Sequence, residues 1–156
     1  LIHKPNRVAE KGNIGWHQDE MYWPQWEGEV FTAWVALSDV PPERGPMHFV
    51  RGSHRWGLID EAANFNNYDI ENQKDGIPIP KGQKWDEVTA RYSAGEASFH
   101  HRRTIHGSGP NMSDQPRLGI AIHLRTDRAK PAPGSPHLPP LEDQNACPII
   151  FGSRND

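Results

Sequence analysis

The stretch GWHQDEMYWP, residues 15 to 24, places His17 and Asp19 two positions apart among large aromatic side chains. On an extended segment, side chains at i and i+2 point to the same side, so one imidazole and one carboxylate can reach a single cation; a helix would aim them apart. A His-x-Asp pair is a weak signal by itself, and a third ligand is needed. Among the remaining histidines His106 is the best placed. It sits on a short strand-like segment before Gly107-Ser108-Gly109, late in the chain, where a β-barrel could carry it back across from the first strands. Two imidazoles and one carboxylate on one face of a cation form the triad of non-haem Fe(II) chemistry, with open positions left on the metal. Zn²⁺ accepts the same ligand types, so ligand identity alone does not choose the metal.

Arg117 tilts the choice. It follows His106 at the start of a returning strand, where it could face the same cavity and hold a carboxylate in a bidentate fork. The plain alternatives are a surface ion pair for Arg117, core packing for Trp34 and a simple turn role for Ser108. His100-His101-Arg102-Arg103 reads as a solvated strand face with one inward group, and His54 as a structural loop residue. Asn111-Met112-Ser113 fits a glycosylation sequon, read here as chance.

These residues need strands to position them. The chain has 15 prolines and 14 glycines in 156 residues, with turn signals too frequent for long helices. LIHKP is strand-like, the HQD region extended, and VFTAWVALSDV (30 to 40) gives the clearest alternation: Thr32, Trp34 and Ala36 share one face, Phe31, Val35 and Leu37 the other. MHFVR (47 to 51), VTARY (88 to 92), EASFHH (96 to 101) and TIHGSGPNMSDQPRLGIAIHLR (104 to 125) supply further short strands. In the last of these, Leu118, Ile120, Ile122 and Leu124 form the side expected to pack. Arg117, Gly119, Ala121 and His123 form the side expected to leave space for a ligand. Residues 58–86 are polar and Asn/Asp-rich, read as a long lid-like loop with at most one helical turn near its start. The predicted organisation is one all-β domain over 1–128, with a Pro-rich irregular tail, 129–156, packed on it.

The net charge of −3 points away from nucleic acid and membrane surfaces and toward a small-molecule partner. Cys147 is the only cysteine, which excludes an internal disulfide and favours a cytoplasmic location. No apolar run reaches the length of a membrane span and the N-terminus lacks a secretory signal. The chain begins at Leu1 without Met and is already strand-like there, so a processed or truncated product is expected. Oligomeric state is left open.

The ordered set His17-Gln18-Asp19, AWVALSDVPPERGPMHFVRGSH, His106-Gly107-Ser108-Gly109-Pro110-Asn111 and Arg117 resembles the phytanoyl-CoA dioxygenase family of Fe(II)/2-oxoglutarate-dependent oxygenases, over about residues 1 to 127. That resemblance implies a double-stranded β-helix, a cupin-like jelly-roll core with few short helices. It implies that His17, Asp19 and His106 are the catalytic iron ligands, that Arg117 holds the distal carboxylate of 2-oxoglutarate, and that Ser108 and Trp34 line the cosubstrate pocket. Cofactors implied are Fe(II), 2-oxoglutarate and O₂. The implied reaction is hydroxylation of a small organic substrate with release of succinate and CO₂; Asp19 favours hydroxylation because halogenating relatives replace the carboxylate with a small residue. Met21, Tyr22, Trp23 and Trp26 are candidates for one substrate wall. The rival readings are a cupin-like divalent-metal hydrolase or isomerase that uses no oxo acid, and a non-catalytic fragment that only binds.

Overall fold

The computed structural model describes residues 1–7, 12–135, 145 and 147–152. Two four-stranded antiparallel sheets face each other, an all-β jelly roll of the double-stranded β-helix type. The strands are β1 (Ile2–Lys4), β2 (Ile14–His17), β3 (Trp26–Glu27), β4 (Val30–Ala36), β5 (Met47–Val50), β6 (Glu87–Ala90), β7 (Ala97–His101), β8 (His106–Ser108), β9 (Arg117–Arg125) and β10 (Lys130–Pro131). One sheet has the order β1-β9-β4-β7 and the other β2-β8-β5-β6. A two-stranded ribbon, β10-β3, lies outside both.

The alternation read in β4 is obeyed: Val30, Thr32, Trp34 and Ala36 are all buried, while Phe31 and Val35 are half-buried on the other face. Between the sheets Trp34, Ala36, Val40, Met47 and Tyr92 form one core cluster. The face count on β9 comes out reversed. Arg117 and Gly119 are buried, whereas Ile122 is 44% exposed and Leu118, Ile120 and Leu124 only half-buried. Its apolar side lies on the outer face of the sheet beside Phe99, 69% exposed. The space beside Gly119 is taken by a neighbouring side chain: a Cβ there would stand 2.3 Å from Trp34 Cζ2. The missing side chain therefore seats an indole, where a ligand was expected.

The 58–86 segment also departs from expectation. It holds a single 3₁₀ turn at Asp60–Ala62 and, in its middle, a helix α1 (Ile70–Gly76), capped where Asp69 accepts a hydrogen bond from the Asn72 amide. Ile59, Ala62 and Ile77 pack with Trp16, Val50 and Ile105 in a second cluster, against which Ile70 and Trp85 also lie. Dispersed apolar residues in a polar segment are enough to dock it. Gln73 clamps it by donating to the Trp16 carbonyl and accepting from the Trp16 amide, both at 2.7 Å. Of the expected tail, β10 pairs with β3, and residues 136–144, 146 and 153–156 lie outside the described residues. Among the described residues no helix is long and apolar enough to cross a membrane.

Candidate metal and oxo-acid site

β2 ends at His17, Gln18 stays extended (φ −110°, ψ 128°), and Asp19 opens a 3₁₀ turn, Asp19–Tyr22. The HQD segment is thus a strand end running into a turn, and the same-side spacing survives because Gln18 is extended. Gln18 is itself fully buried, donating to the carbonyls of Gly57 and Arg103 at 2.8 Å and accepting from the Ile59 amide at 2.8 Å. A register shift between Ile14 and His17 marks a bulge that sets His17 directly opposite His106.

His17, Asp19 and His106 are all buried, and their ligand atoms lie within 4.8 Å of one another. Each imidazole has a fixed tautomer. His17 Nδ1 donates to the Gly15 carbonyl (2.8 Å) and His106 Nδ1 to the Thr104 carbonyl (2.9 Å), so in the neutral rings the lone pairs sit on Nε2. Both Nε2 atoms are 3.6 Å from Asp19 Oδ1. Burial, then the imidazoles of His17 and His100, push His106 well below the ordinary histidine value, so its ring is neutral. Burial opposes ionisation of Asp19 but is outweighed by His106 and by the hydrogen bonds of His100 and Thr32, which hold its carboxyl well below the usual range. With His106 neutral, the hydrogen bonds remain to keep Asp19 charged. Three lone pairs thus converge without an intervening hydrogen, a donor set for a divalent cation with nitrogen and oxygen preferences.

The turn carrying Asp19 is fastened to the one after β7. Arg103 grips Glu20 through Nε and Nη2, Arg102 Nε lies 3.2 Å from the same carboxylate, and Arg102 also donates to the Trp26 carbonyl at 2.6 Å. His100-His101-Arg102-Arg103 therefore sends two groups inward, His100 and Arg102, where one was expected.

About 7 Å along the strands from the triad, two residues on, lies a second group. Ser108 follows His106 by two on β8, Trp34 follows Thr32 by two on β4, and the Arg117 guanidinium stacks on the Trp34 ring at 5.2 Å. Arg117 is 0% exposed and donates once, to the Gly45 carbonyl at 2.8 Å. Its Nε and Nη2, together with Ser108 Oγ and Trp34 Nε1, are buried without a hydrogen-bond partner among the described residues. Buried donors are normally satisfied, so a cluster of four orphans marks a missing acceptor. Lys4 belongs here and was not singled out from the sequence: buried on β1, its Nζ donates to the carbonyls of Ser108 (3.1 Å) and Gly109. Burial, then the charge of Arg117, push Lys4 down to about 6, and burial brings Arg117 down to about 10. A buried guanidinium with an amine beside it, and no carboxylate hydrogen-bonded to either among the described residues, is what a dicarboxylate would satisfy.

The expected substrate wall is divided. Tyr22 has its ring 6.1 Å from His17, and Phe65, also not anticipated, stands 5.0 Å from the same imidazole. Trp23 lies against His123 at 4.0 Å. Trp26 sits in the β3–β10 ribbon under the Arg125 guanidinium, and Met21 adds a backbone bond to the Gln18 carbonyl. His54 stays half-buried in a 3₁₀ turn, as expected. Asn111 is fully buried, its Nδ2 donating to the carbonyls of Lys4 and Gln115, so the sequon is a loop anchor closed to a glycan.

The sequence profile described as phytanoyl-CoA dioxygenase (PhyH) matches residues 1–119. An ectoine dioxygenase of Stutzerimonas stutzeri (strain A1501) is 27% identical over 149 residues, covering 85% of this chain and 49% of that protein. Among solved structures, the non-heme monooxygenase ThoJ in its apo form superposes with a TM-score of 0.62 at 29% identity, over 83% of this chain and 45% of its own. The epimerase SnoN, in complex with Fe³⁺, alpha ketoglutarate and nogalamycin RO, does so with a TM-score of 0.59 at 30% identity, over 88% and 56%. The chain spans about half the length of the relatives it matches. With the profile running through β1 to the first residues of β9, and the jelly roll shared with these neighbours, the chain belongs to the phytanoyl-CoA dioxygenase family.

Proposed function

We propose that this protein is an Fe(II)/2-oxoglutarate-dependent dioxygenase that hydroxylates a small organic molecule, releasing succinate and CO₂. His17 Nε2, Asp19 Oδ1 and His106 Nε2 hold the iron; Arg117, Ser108, Trp34 and Lys4 hold the far carboxylate of 2-oxoglutarate. The bound metal and oxo acid supply the activation of O₂ through oxidative decarboxylation. The chain's own residues bind and orient. The fixed tautomers of His17 and His106 aim their lone pairs, Arg117 and Trp34 set the position of the oxo acid, and the packed strands keep water from the interior. Tyr22, Trp23 and Phe65 flank the opening and form the substrate wall, with residues 59–65 as its rim.

The observation that carries this reading is the buried Arg117, with two guanidinium nitrogens unpartnered, stacked on Trp34, which follows by two positions the Thr32 that donates to Asp19. A zinc or manganese hydrolase would have no use for it. Ectoine, in the name of one relative, and nogalamycin RO, bound to another, are different compounds, so the substrate is left as a small organic compound. A cytoplasmic location is part of the reading and rests on the single Cys147.

Anaerobic addition of Fe(II) and then 2-oxoglutarate tests it. A visible metal-to-ligand charge-transfer band, weakened in Arg117→Ala, and oxygen-dependent succinate formation are expected. Absence of the band in the wild-type protein would overturn the proposal.

A further inference from the structure

The two oxygens of Asp19 have different surroundings. Oδ1 faces the Nε2 atoms of His17 and His106 and receives no hydrogen bond from Thr32 or His100. Oδ2 accepts from Thr32 Oγ1 at 2.6 Å and lies 3.2 Å from His100 Nε2. A count of protons fixes the direction of each bond. The Thr32 hydroxyl has one hydrogen, and the carboxylate can only accept, so that hydrogen goes to Oδ2. Thr32 must then accept from His123, whose Nδ1 is 3.3 Å away. His100 likewise presents Nε2–H to Oδ2, and its Nδ1 is buried without a partner among the described residues.

That orphaned nitrogen is informative. His100 is packed by rings, with Phe49 at 5.2 Å and His106 at 4.4 Å, a setting that a phenylalanine would fill without burying an unsatisfied polar atom. What a phenylalanine lacks is the donor to Asp19. A carboxylate beside a divalent cation can bind through one oxygen or chelate through both. Two donors on Oδ2 compete with chelation.

Resting on the reading of His17, Asp19 and His106 as a metal site, we infer that His100 and Thr32 are positioning residues that occupy Asp19 Oδ2 and restrict the carboxylate to one metal bond. Six-coordinate geometry with three protein atoms then leaves three positions open, the number that an oxo acid and oxygen together require. Neither residue touches the metal.

The test uses Mn(II) alone, bound to the protein without 2-oxoglutarate, and counts inner-sphere waters by ¹⁷O-water broadening of the Mn(II) resonance and by water-proton relaxation. The wild type is expected to hold about three waters. The His100→Phe/Thr32→Val double variant, with Asp19 freed to chelate, should hold about two, and its inner-sphere relaxivity should fall to about two-thirds. A purely structural role would change stability or affinity and leave the count alone. His100→Gln, which restores a donor, should return the count to the wild-type value. If the double variant does not fold, the single His100→Phe variant carries the comparison with His100→Gln and should give a count between the two. Three waters in every folded variant overturn the inference while the metal site stands. Two waters in the wild type, rising to three without His100, would make His100 a ligand and also overturn it. A wild type that binds no Mn(II), or binds it equally in His106→Ala, overturns the metal-site reading and this inference with it.

Discussion

The imidazoles of His17 and His106 face each other across the β2–β8 pair with ring centroids 4.0 Å apart, and each is anchored by Nδ1 to the carbonyl two residues before it. The same local device on both strands turns two lone pairs toward one point beside Asp19 Oδ1. Removing one of them should cost more than the tenfold to hundredfold loss of metal affinity typical of residues that merely orient a ligand. Calorimetric titration of His106→Gln with Co(II) checks this; an affinity within tenfold of the wild type would show that the ion is held elsewhere.

Arg117→Lys keeps a charge but loses the planar fork. The expected result is a weakening of 2-oxoglutarate binding by about tenfold or more at unchanged metal affinity, because one ammonium cannot replace two aligned guanidinium donors. Equal affinity for the oxo acid in the two proteins would remove Arg117 from the pocket.

Lys4 gives the metal-free protein a pH dependence of known sign. Its folded value, about 6, lies below the ordinary 10.5, so between these values the unfolded chain holds a proton that the folded chain has released. Stability should therefore rise with pH across that window, by up to about 1.4 kcal/mol per pH unit from this group. Urea denaturation at several values between about pH 6 and 9 reads it as a rising midpoint, flattened in Lys4→Met. A falling midpoint, or the same slope in the variant, contradicts the assignment.

Gly119→Ala places a methyl group against the Trp34 ring, 2.3 Å from Cζ2. Overpacking of this kind costs about 1–3 kcal/mol. Because Trp34 also stacks on Arg117, the variant should lose affinity for 2-oxoglutarate along with thermal stability, both measurable by melting with and without the oxo acid. Unchanged melting would mean that the indole has room to shift.

The middle residue of the HQD segment is structural. Gln18→Leu leaves the Ile59 amide and the Gly57 and Arg103 carbonyls short of a partner, at about 1–3 kcal/mol for each group that finds no water. A midpoint shift under about 0.5 kcal/mol, the range of a surface substitution, would show that water replaces the amide.

The strands were legible because alternation and turn residues are local signals, and the triad because an i, i+2 pair survives whether Asp19 continues a strand or opens a turn. What stayed hidden is non-local. Lys4 looks like an ordinary cation on an edge strand; its burial follows from the pairing of β1 with β9, over a hundred residues away. His100 sat in a basic run, although alternation already placed it on the face opposite His101, the face of Thr32 and Trp34. The apolar side of β9 reads as the core side because hydrophobicity says which side is apolar and not which side points inward; Arg117, buried beneath a tryptophan, decides that. Ile59, Ala62, Ile70 and Ile77 are too widely spaced to show a period, so the 58–86 segment reads as a loop, yet each packs in the cluster with Trp16 and Val50 of the β2-β8-β5-β6 sheet.

The central claim is that one interior holds both the metal and the oxo acid. Anomalous diffraction from crystals grown without oxygen in Mn(II) and 2-oxoglutarate measures it directly. A single strong peak bonded to His17 Nε2, Asp19 Oδ1 and His106 Nε2, with the distal carboxylate of the oxo acid on Arg117, is the predicted result. A peak at any other group of side chains, or 2-oxoglutarate bound away from Arg117, would contradict it.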